Sequence, residues 1–298
     1  MFIFQSDFTS HLSREVGLSV LAGEPAETLF REARLAGTSG AFQLQQAGRW
    51  FIGGASVVPA GGDLDGATRQ LYHMLFAAQT GLNLCRVWHY VPRINEPGND
   101  GLENYRAFCH GRSLAFERQF GADFQHRLPA ASAVGTEDER LTIVFAACAD
   151  TPRHFENPRQ VPAYQYPKEH GPRSPSFSRA TLVAAEGYTD AFISGTAAIE
   201  GHETVAPGDT EAQIERTVDN LRTISQACGL GELLGADRGG ERHFKVYLRH
   251  RTDLAAVRAA LEQRLFVATD RIVYLRSDIC RAALNLEIEA TVLGVRAG

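Results

Sequence analysis

Hydrophobic and polar residues alternate over residues 284–291, close to the end of the printed sequence. Successive side chains of a strand point to opposite faces, so this alternation predicts a strand with two different faces. One face carries Leu284, Leu286 and Ile288, and the other carries Asn285, Glu287 and Glu289. A polar face of this kind is typical of an exposed strand, because glutamate is seldom buried without a partner. A functional role for the two carboxylates therefore needs support from the rest of the chain.

The rest of the chain contains the same pattern twice, which indicates an internal duplication. Three pairs of predicted strands correspond, namely 49–57 with 190–198, 84–91 with 243–250, and 141–148 with 284–291. Apolar stripes predict a helix ending near Gly81 and another ending near Gly229, and second helices over 104–120 and 254–265. We therefore predict an α/β fold class. It is a tandem pair of β-α-β-α-β units, with each sheet covered by helices on one face.

The two units differ at the last strand. Val144 and Ala146 occupy the positions that Glu287 and Glu289 occupy in the second unit. This asymmetry is typical of one active site and one site that has decayed. We accordingly divide the chain into an N-terminal unit without the catalytic glutamate (1–149), a connecting segment (150–180) and a C-terminal catalytic unit (181–298).

The connecting segment is rich in proline and arginine. Its prolines are at positions 152, 158, 162, 167, 172 and 175, and each one restricts its own backbone and that of the residue before it. The segment also carries Tyr164, Tyr166, His170, Arg173 and Arg179. A long loop held this firmly usually shapes or covers a binding site, and we prefer that interpretation to a stiff spacer between domains.

Composition narrows the classes of function. With 44% hydrophobic residues, 22% charged residues and a formal net charge of -5, the chain is neither disordered nor a typical nucleic-acid binder. It has no apolar run of the roughly 18 residues that a membrane span needs, and its first residues lack a secretory pattern. Five cysteines never form CxxC, and ten histidines show no HxxxH spacing with a third ligand nearby. We expect a cytoplasmic protein with no metal or other cofactor, and we favour a monomer over an oligomer.

Several motifs carry a family resemblance. The segments FISGTAAI (192–199), KVYL (245–248) and LEIEA (286–290) are similar to the RidA/YjgF-type fold. Together with residues 105–112, 166–180 and 278–281, they resemble the chorismatases, which are RidA-like enzymes that remove pyruvate from chorismate. The resemblance implies that chorismate, a small molecule, is the substrate.

The resemblance also implies roles for individual residues. Glu287 matches the family's carboxylate and would be the general acid for the enolpyruvyl group, a role that needs a raised pKa. Cys280 matches a cysteine of members that release 3-hydroxybenzoate, where it would assist ring opening and aromatisation. Ala197 or Ala198 matches a small residue that shapes product choice. Arginine binds carboxylates bidentately, and the candidates for substrate binding are Arg112, Arg173, Arg179, Arg249 and Arg281, together with Tyr166. Glu289 could instead be a structural ligand of a neighbouring arginine.

Three alternatives remain open at this point. An alanine at 197 or 198 fits the Cys280 signal poorly, so the product could include 4-hydroxybenzoate. A second possibility is hydrolysis of chorismate to pyruvate and 3,4-dihydroxycyclohexa-1,5-diene carboxylate. The third is a RidA-like imine hydrolase or ligand-binding protein, since one fold hosts many functions. The abundance of arginine favours a dianionic substrate over a small imine.

Overall fold

The computed structural model describes residues 3–5 and 13–296 of the chain. The described strands are β1 (Ile3–Gln5), β2 (Ser13–Glu15), β3 (Ser19–Ala22), β4 (Ala26–Thr28), β5 (Arg34–Ser39), β6 (Phe42–Ala47), β7 (Trp50–Val57), β8 (Asn83–Pro92), β9 (Ala130–Thr136), β10 (Leu141–Cys148), β11 (Arg153–Phe155), β12 (Ala180–Ala185), β13 (Tyr188–Thr196), β14 (Ile199–Glu200), β15 (Glu203–Thr204), β16 (Glu241–Leu248), β17 (Arg271–Arg276) and β18 (Leu286–Arg296). The described α-helices are α1 (Leu64–Ala78), α2 (Asn104–Phe120), α3 (Thr210–Ala227) and α4 (Leu254–Arg264).

The strands form two large sheets, one for each predicted unit. The first has the order β5-β6-β7-β10-β8-β9, and the second has the order β11-β12-β13-β18-β16-β17-β3. Strands β1, β2 and β4 form a small separate sheet, and β14 and β15 form a two-stranded ribbon. In both units the last strand, β10 or β18, lies in the middle of its sheet and pairs antiparallel with both neighbours.

Three apolar clusters fix how these layers pack. One fills the space between the first sheet and helices α1 and α2, and a second fills the space between the second sheet and helices α3 and α4. The third cluster joins the faces of the two sheets that carry no helix. In it, Phe192 of the second sheet meets the rings of Trp50 and Trp88 edge-on, at centroid distances of 5.2 and 6.3 Å. Each sheet is therefore covered by helices on one face and by the other sheet on the opposite face.

Strand register shows that the two units correspond residue by residue at their central strands. Glu289 of β18 pairs with Lys245, and Ala146 of β10 pairs with Arg86. Two residues earlier on the same faces of β18 and β10, Glu287 pairs with Tyr247 and Val144 pairs with Trp88. The predicted correspondence of Val144 and Ala146 with the two glutamates is therefore confirmed.

The sheets also contain strands that the sequence patterns did not reveal. Between its second helix and its last strand, each unit has an additional strand, β9 or β17, which runs parallel to β8 or β16. Strand β3, in the segment predicted to belong to the N-terminal unit, pairs with β17 and extends the second sheet. None of the helices within residues 3–5 and 13–296 is long and apolar enough to cross a membrane.

Candidate active site

A cavity opens where the two units meet under the connecting segment. Its empty volume is about 750 Å³, part of which is open to solvent. Helix α2 and strand β9 line it from the first unit, while β13 and residues 280–287 line it from the second. The connecting segment adds a further wall through residues 166–179. The firm, proline-rich segment therefore shapes a cavity, as its composition indicated.

Most of the residues predicted for the site meet at this cavity. Those that line it are Arg112, Tyr166, Arg179, Ala197, Cys280, Arg281 and Glu287. They come from four separate stretches of the sequence, which only the folded chain brings together. Ala198, the alternative to Ala197, is fully buried in the apolar cluster between the sheets.

Glu287 is the acidic group in the depth of the cavity. Its side chain is 4% exposed, and burial raises the pKa of its carboxyl to about 8, with a further contribution from the charge of Glu289. The nearby guanidinium groups of Arg86 and Arg179 oppose this rise in pKa. Within the described part of the chain, no group donates a hydrogen bond to its Oε1 atom. The carboxyl is therefore protonated at neutral pH and has one oxygen available to a ligand.

The backbone beside Glu287 leaves room for this carboxyl. A β-bulge interrupts the pairing of β13 with β18 between Ile193 and Thr196. A Cβ atom added to Gly195 within this bulge would lie 2.0 Å from Oε1 of Glu287. Any residue other than glycine at position 195 would clash with the Glu287 carboxyl in its present position.

Glu289 has a different environment on the same face of β18. Its carboxylate accepts hydrogen bonds from Nη2 of Arg86 at 2.8 Å, Nε1 of Trp88 at 2.8 Å and Nζ of Lys245 at 2.7 Å. Burial alone would raise its pKa, but Lys245 and Arg86 lower the pKa to about 2. Glu289 is thus ionised and held between the sheets. The alternative of a structural ligand for a neighbouring arginine is the one that the structure shows.

Four arginines line the cavity. Arg106 pairs with Glu103 at 3.2 Å, and the guanidinium groups of the other three lie around the space in front of Glu287. Arg112 is 1% exposed and lies over the ring of Phe108, while Arg179 donates from Nη2 to the hydroxyl of Tyr166 at 2.7 Å. Arg281 lies over the ring of Tyr166, with its Cζ atom 5.3 Å from the ring centroid. Among residues 13–296, no carboxylate oxygen lies within 4.0 Å of the guanidinium of Arg112 or Arg281. Their charges therefore remain available to an anionic ligand.

The other two predicted arginines lie elsewhere. Arg173 forms a half-exposed ion pair with Glu117 at 2.8 Å and does not line the cavity. Arg249 is directed behind the cavity wall. It donates from Nη1 to Asp278 at 2.7 Å and from Nε to the carbonyl of Leu284 at 2.8 Å, and its Nη2 reaches the carbonyl of Arg281 at 3.0 Å. Arg249 therefore supports the 278–284 loop. Neither Arg173 nor Arg249 lines the cavity.

Cys280 adjoins Glu287 on that loop. Its Sγ atom lies 3.9 Å from Oε2 of Glu287, and burial, followed by the charge of Glu287, raises the pKa of the thiol to about 12. The sulfur is therefore a neutral thiol at physiological pH. It is placed to donate a hydrogen bond or a proton and is not poised as a thiolate nucleophile.

The cavity also contains residues that the sequence analysis did not select. Tyr105 and Phe177 contribute aromatic rings, and Ala131, Ser132 and Ala133 of β9 form one wall. Tyr105 and Arg112 are separated by seven residues, which is two helical turns, so both lie on one face of α2. That spacing was a readable signal for Tyr105. The wall formed by β9 gave none, because its sequence AASAVGT lacks the alternation of a strand.

Comparisons with known proteins found relatives that match most of this chain. Residues 29–147 match the model of a family described as "Chorismatase FkbO/Hyg5-like, N-terminal". A 3-hydroxybenzoate synthase from Streptomyces hygroscopicus is 37% identical over 257 residues, which is 83% of this chain and 74% of the relative. A chorismatase from Streptomyces rapamycinicus is 39% identical over 252 residues, or 81% of this chain and 74% of the relative. A crystal structure of a chorismatase aligns with a TM-score of 0.78 and 33% identity, covering 89% of this chain and 80% of that one. The predicted fold class, a tandem pair of RidA/YjgF-like α/β units, is confirmed by this likeness.

Proposed function

This chain belongs to the chorismatase family, and from that premise we propose that it cleaves chorismate to pyruvate and 3-hydroxybenzoate. The single observation that carries the proposal is the buried carboxyl of Glu287, whose pKa of about 8 keeps it protonated in front of a cavity lined by arginines. A general acid and several cations are what an enol ether with two carboxylates requires.

The arginines account for binding of the substrate. Chorismate carries two carboxylates, and a planar guanidinium can pair with a carboxylate through two parallel hydrogen bonds. Arg112, Arg179 and Arg281 are the three guanidinium groups that we assign to this task, because they line the cavity around Glu287. Their partial burial strengthens each pairing, since water screens a charge less in a confined site. Tyr166 holds Arg179 through its hydroxyl and so fixes the direction of one of these cations.

Glu287 then supplies the proton. Its carboxyl donates to the methylene carbon of the enolpyruvyl group, and the electrons of the double bond form the new C–H bond. The ether carbon becomes cationic, and the negative charge left on Glu287 faces that cation. Arg86 and Arg179 lower the pKa of Glu287 and so stabilise its ionised form after the transfer. Positioned proton transfer of this kind contributes roughly 10²–10⁴-fold to a rate.

Loss of pyruvate follows when the neighbouring ring hydroxyl displaces it, and the resulting intermediate opens and aromatises. Pyruvate and hydroxybenzoate together contain all the atoms of chorismate, so this route consumes no water. Cys280 is the group that we assign to the ring-opening step, because its neutral thiol can donate a proton and it lies 3.9 Å from Glu287. The ionised Glu287 takes the proton of the attacking ring hydroxyl, and the Cys280 thiolate left after ring opening takes the ring proton that is lost on aromatisation, so both groups return to their starting states.

The product test separates this route from its alternatives. Purified protein is incubated with chorismate, pyruvate release is coupled to lactate dehydrogenase, and the second product is identified by chromatography. We expect pyruvate and 3-hydroxybenzoate in equal amounts. Pyruvate with the non-aromatic diene diol would mean that one water is consumed and that Cys280 has a different role. No pyruvate release would overturn the proposal and favour the imine-hydrolase or ligand-binding interpretation.

The same reaction in D₂O tests the proton step directly. Protonation of the methylene carbon by Glu287 places one deuterium in the methyl group of pyruvate, and rapid reduction to lactate prevents later exchange. Glu287→Gln should lower turnover by at least about 10²-fold, since an amide cannot act as the acid. Glu262→Gln removes an exposed carboxylate on α4 and serves as the matched control with full turnover. Full activity in Glu287→Gln would show that another group is the acid.

A further inference from the structure

Four side chains with metal-binding atoms converge beside the mouth of the cavity. Glu169 and His170 belong to the short helical turn Lys168–His170 of the connecting segment, and His202 and Glu203 belong to the ribbon of β14 and β15. One ligand atom from each residue lies within 4.8 Å of all the others. We propose that these four side chains form a binding site for a divalent transition metal ion of the zinc type.

The distances between the ligand atoms are close to those of a tetrahedral site. Zinc binds imidazole nitrogen and carboxylate oxygen at about 2.0–2.2 Å, which separates neighbouring ligand atoms by about 3.3–3.5 Å. Nε2 of His170 lies 3.0 Å from Nδ1 of His202, and Oε1 of Glu169 lies 3.6 Å from both nitrogens. Oε1 of Glu203 lies 3.1 Å from Nδ1 of His202. Shifts of a few tenths of an ångström at these contacts would therefore complete most of the ligand shell.

The chemistry of the set also suits such an ion. Zinc accepts imidazole and carboxylate ligands, and the two negative charges of the carboxylates balance the two positive charges of a divalent cation. Arg281 lies beside the site, where it donates to the carbonyl of His202 at 2.8 Å and to Thr204 at 3.2 Å. These bonds hold the backbone of the ribbon and leave the ring nitrogens of His202 facing the other ligands. No spacing in the sequence predicts this set of ligands, because His170 and His202 come from distant segments.

The position of the site gives it a structural consequence. His170 of the connecting segment and Ile199 of the ribbon both line the cavity. A metal ion held by both segments would fasten the connecting segment to the ribbon. The metal is separate from the proposed chemistry at Glu287, so its binding can be tested without measuring turnover.

Cobalt(II) is the probe for the first test, because a four-coordinate cobalt site has intense visible absorption. We expect such bands when cobalt is added to the full-length protein, and we expect an equivalent amount of zinc to remove them. His202→Ala should abolish the bands and weaken zinc binding by more than about tenfold, and Glu203→Gln should weaken it as well. Glu200→Gln is the matched control, because this carboxylate is on the same ribbon but pairs with Arg216 outside the cluster. It should bind as the unchanged protein does.

Trypsin cleavage at Lys168 provides the second test. Zinc should slow this cleavage by at least fivefold in the unchanged protein and in Glu200→Gln, but not in His202→Ala. Circular dichroism establishes that each variant is folded. An absence of intense cobalt bands in the unchanged protein would overturn the site, and so would bands that persist in His202→Ala. Cobalt binding without slower cleavage would overturn the fastening of the connecting segment.

Discussion

Glu287 and Glu289 lie two residues apart on one face of β18 and have opposite protonation states at neutral pH. Burial raises the pKa of Glu287 to about 8, whereas Lys245 and Arg86 overcome burial and lower the pKa of Glu289 to about 2. The negative charge of Glu289 is itself one cause of the raised pKa of Glu287. The charge of Glu289, which Lys245 and Arg86 hold ionised between the sheets, therefore helps to keep the proposed acid protonated.

The pH dependence of turnover follows from this relationship. An acid with a pKa of about 8 is protonated below that pH and loses its proton above it, so turnover should fall as pH rises through about 8. The measurement is kcat for pyruvate release between pH 6 and 10 at saturating chorismate. Burial raises the pKa of Glu156, near Arg179, to about 7, so its ionisation can change substrate binding in the same pH range. The pH dependence of kcat/KM is therefore measured as well, which separates effects on binding from effects on the chemical step. A kcat that rises above pH 8 would contradict the role of Glu287 as acid.

Replacement of Glu289 should affect stability. Glu289→Gln leaves Arg86 buried without its anion and leaves Lys245 with Glu27 as its remaining carboxylate. Breaking the buried ion pair with Arg86 in this way costs about 3–5 kcal/mol of the free energy of unfolding. Urea denaturation at pH 7 measures this loss. Because the folded pKa is below the ordinary 4.5, the stabilisation is present above pH 4.5 and is lost as pH falls toward 2.

The control for this variant is Glu262→Gln, which breaks an exposed ion pair with Arg258 and should leave the free energy of unfolding almost unchanged. An equal loss of unfolding free energy in both variants would mean that the buried ion cluster stabilises the fold no more than an exposed ion pair does. If Glu289→Gln remains folded, removal of its charge should also move the fall in kcat to lower pH.

The central part of this architecture could be predicted from the sequence. The period of two in β18 and the repetition of the strand pattern were sufficient to align Val144 with Glu287 across the two units. That alignment identified the two glutamates that have no acidic equivalent in the first unit. Strand β9 could not be predicted, because a buried Ala-rich edge has no polar face and hence no alternation. Strand β3 could not be assigned to its sheet either, since pairing across the chain depends on tertiary packing.

The arginines show a second limit of sequence reasoning. A motif gives the type of a residue, but the direction of its side chain depends on the contacts around it. Arg179 points into the cavity and bonds to Tyr166, whereas Arg249 turns to the carbonyls of the loop behind it. The proposed metal ligands could not be predicted for a related reason, because they come from two segments that only the fold brings together.

Gly195 should be essential for activity and of little importance for stability. In Gly195→Ala the new methyl group would occupy the place of Oε1 of Glu287, and the flexible end of the glutamate would have to move. We expect turnover to fall by about 10²-fold or more, with a small change in the midpoint of urea denaturation. The same substitution in the Glu287→Gln background should then cost little further activity. Additive losses in the double variant would mean that Gly195 acts independently of Glu287.

Arg249 is expected to position the site without touching the substrate. Arg249→Lys keeps the charge but cannot reach Asp278 and the carbonyls of Arg281 and Leu284 together, so the loop that carries Cys280 should loosen. We expect kcat to fall by about tenfold or more and the fraction of aromatic product to fall with it. Arg258→Lys, an exchange in an exposed ion pair, is the control. A change in kcat with an unaltered product ratio would indicate that Cys280 has not moved.

Cys280 is the residue whose replacement should change the product while pyruvate release continues. Cys280→Ala leaves Glu287 and the arginines in place, so the enol ether can still be protonated and cleaved. Without the thiol, the ring-opening step lacks its proton donor, and the fraction of 3-hydroxybenzoate should fall in favour of the non-aromatic diol. Chromatography of both products measures the ratio. Cys228→Ala removes another buried thiol, which packs in the helix-covered core of the second unit, and should leave the ratio unchanged. An unchanged ratio in Cys280→Ala would assign aromatisation to a different group of the cavity.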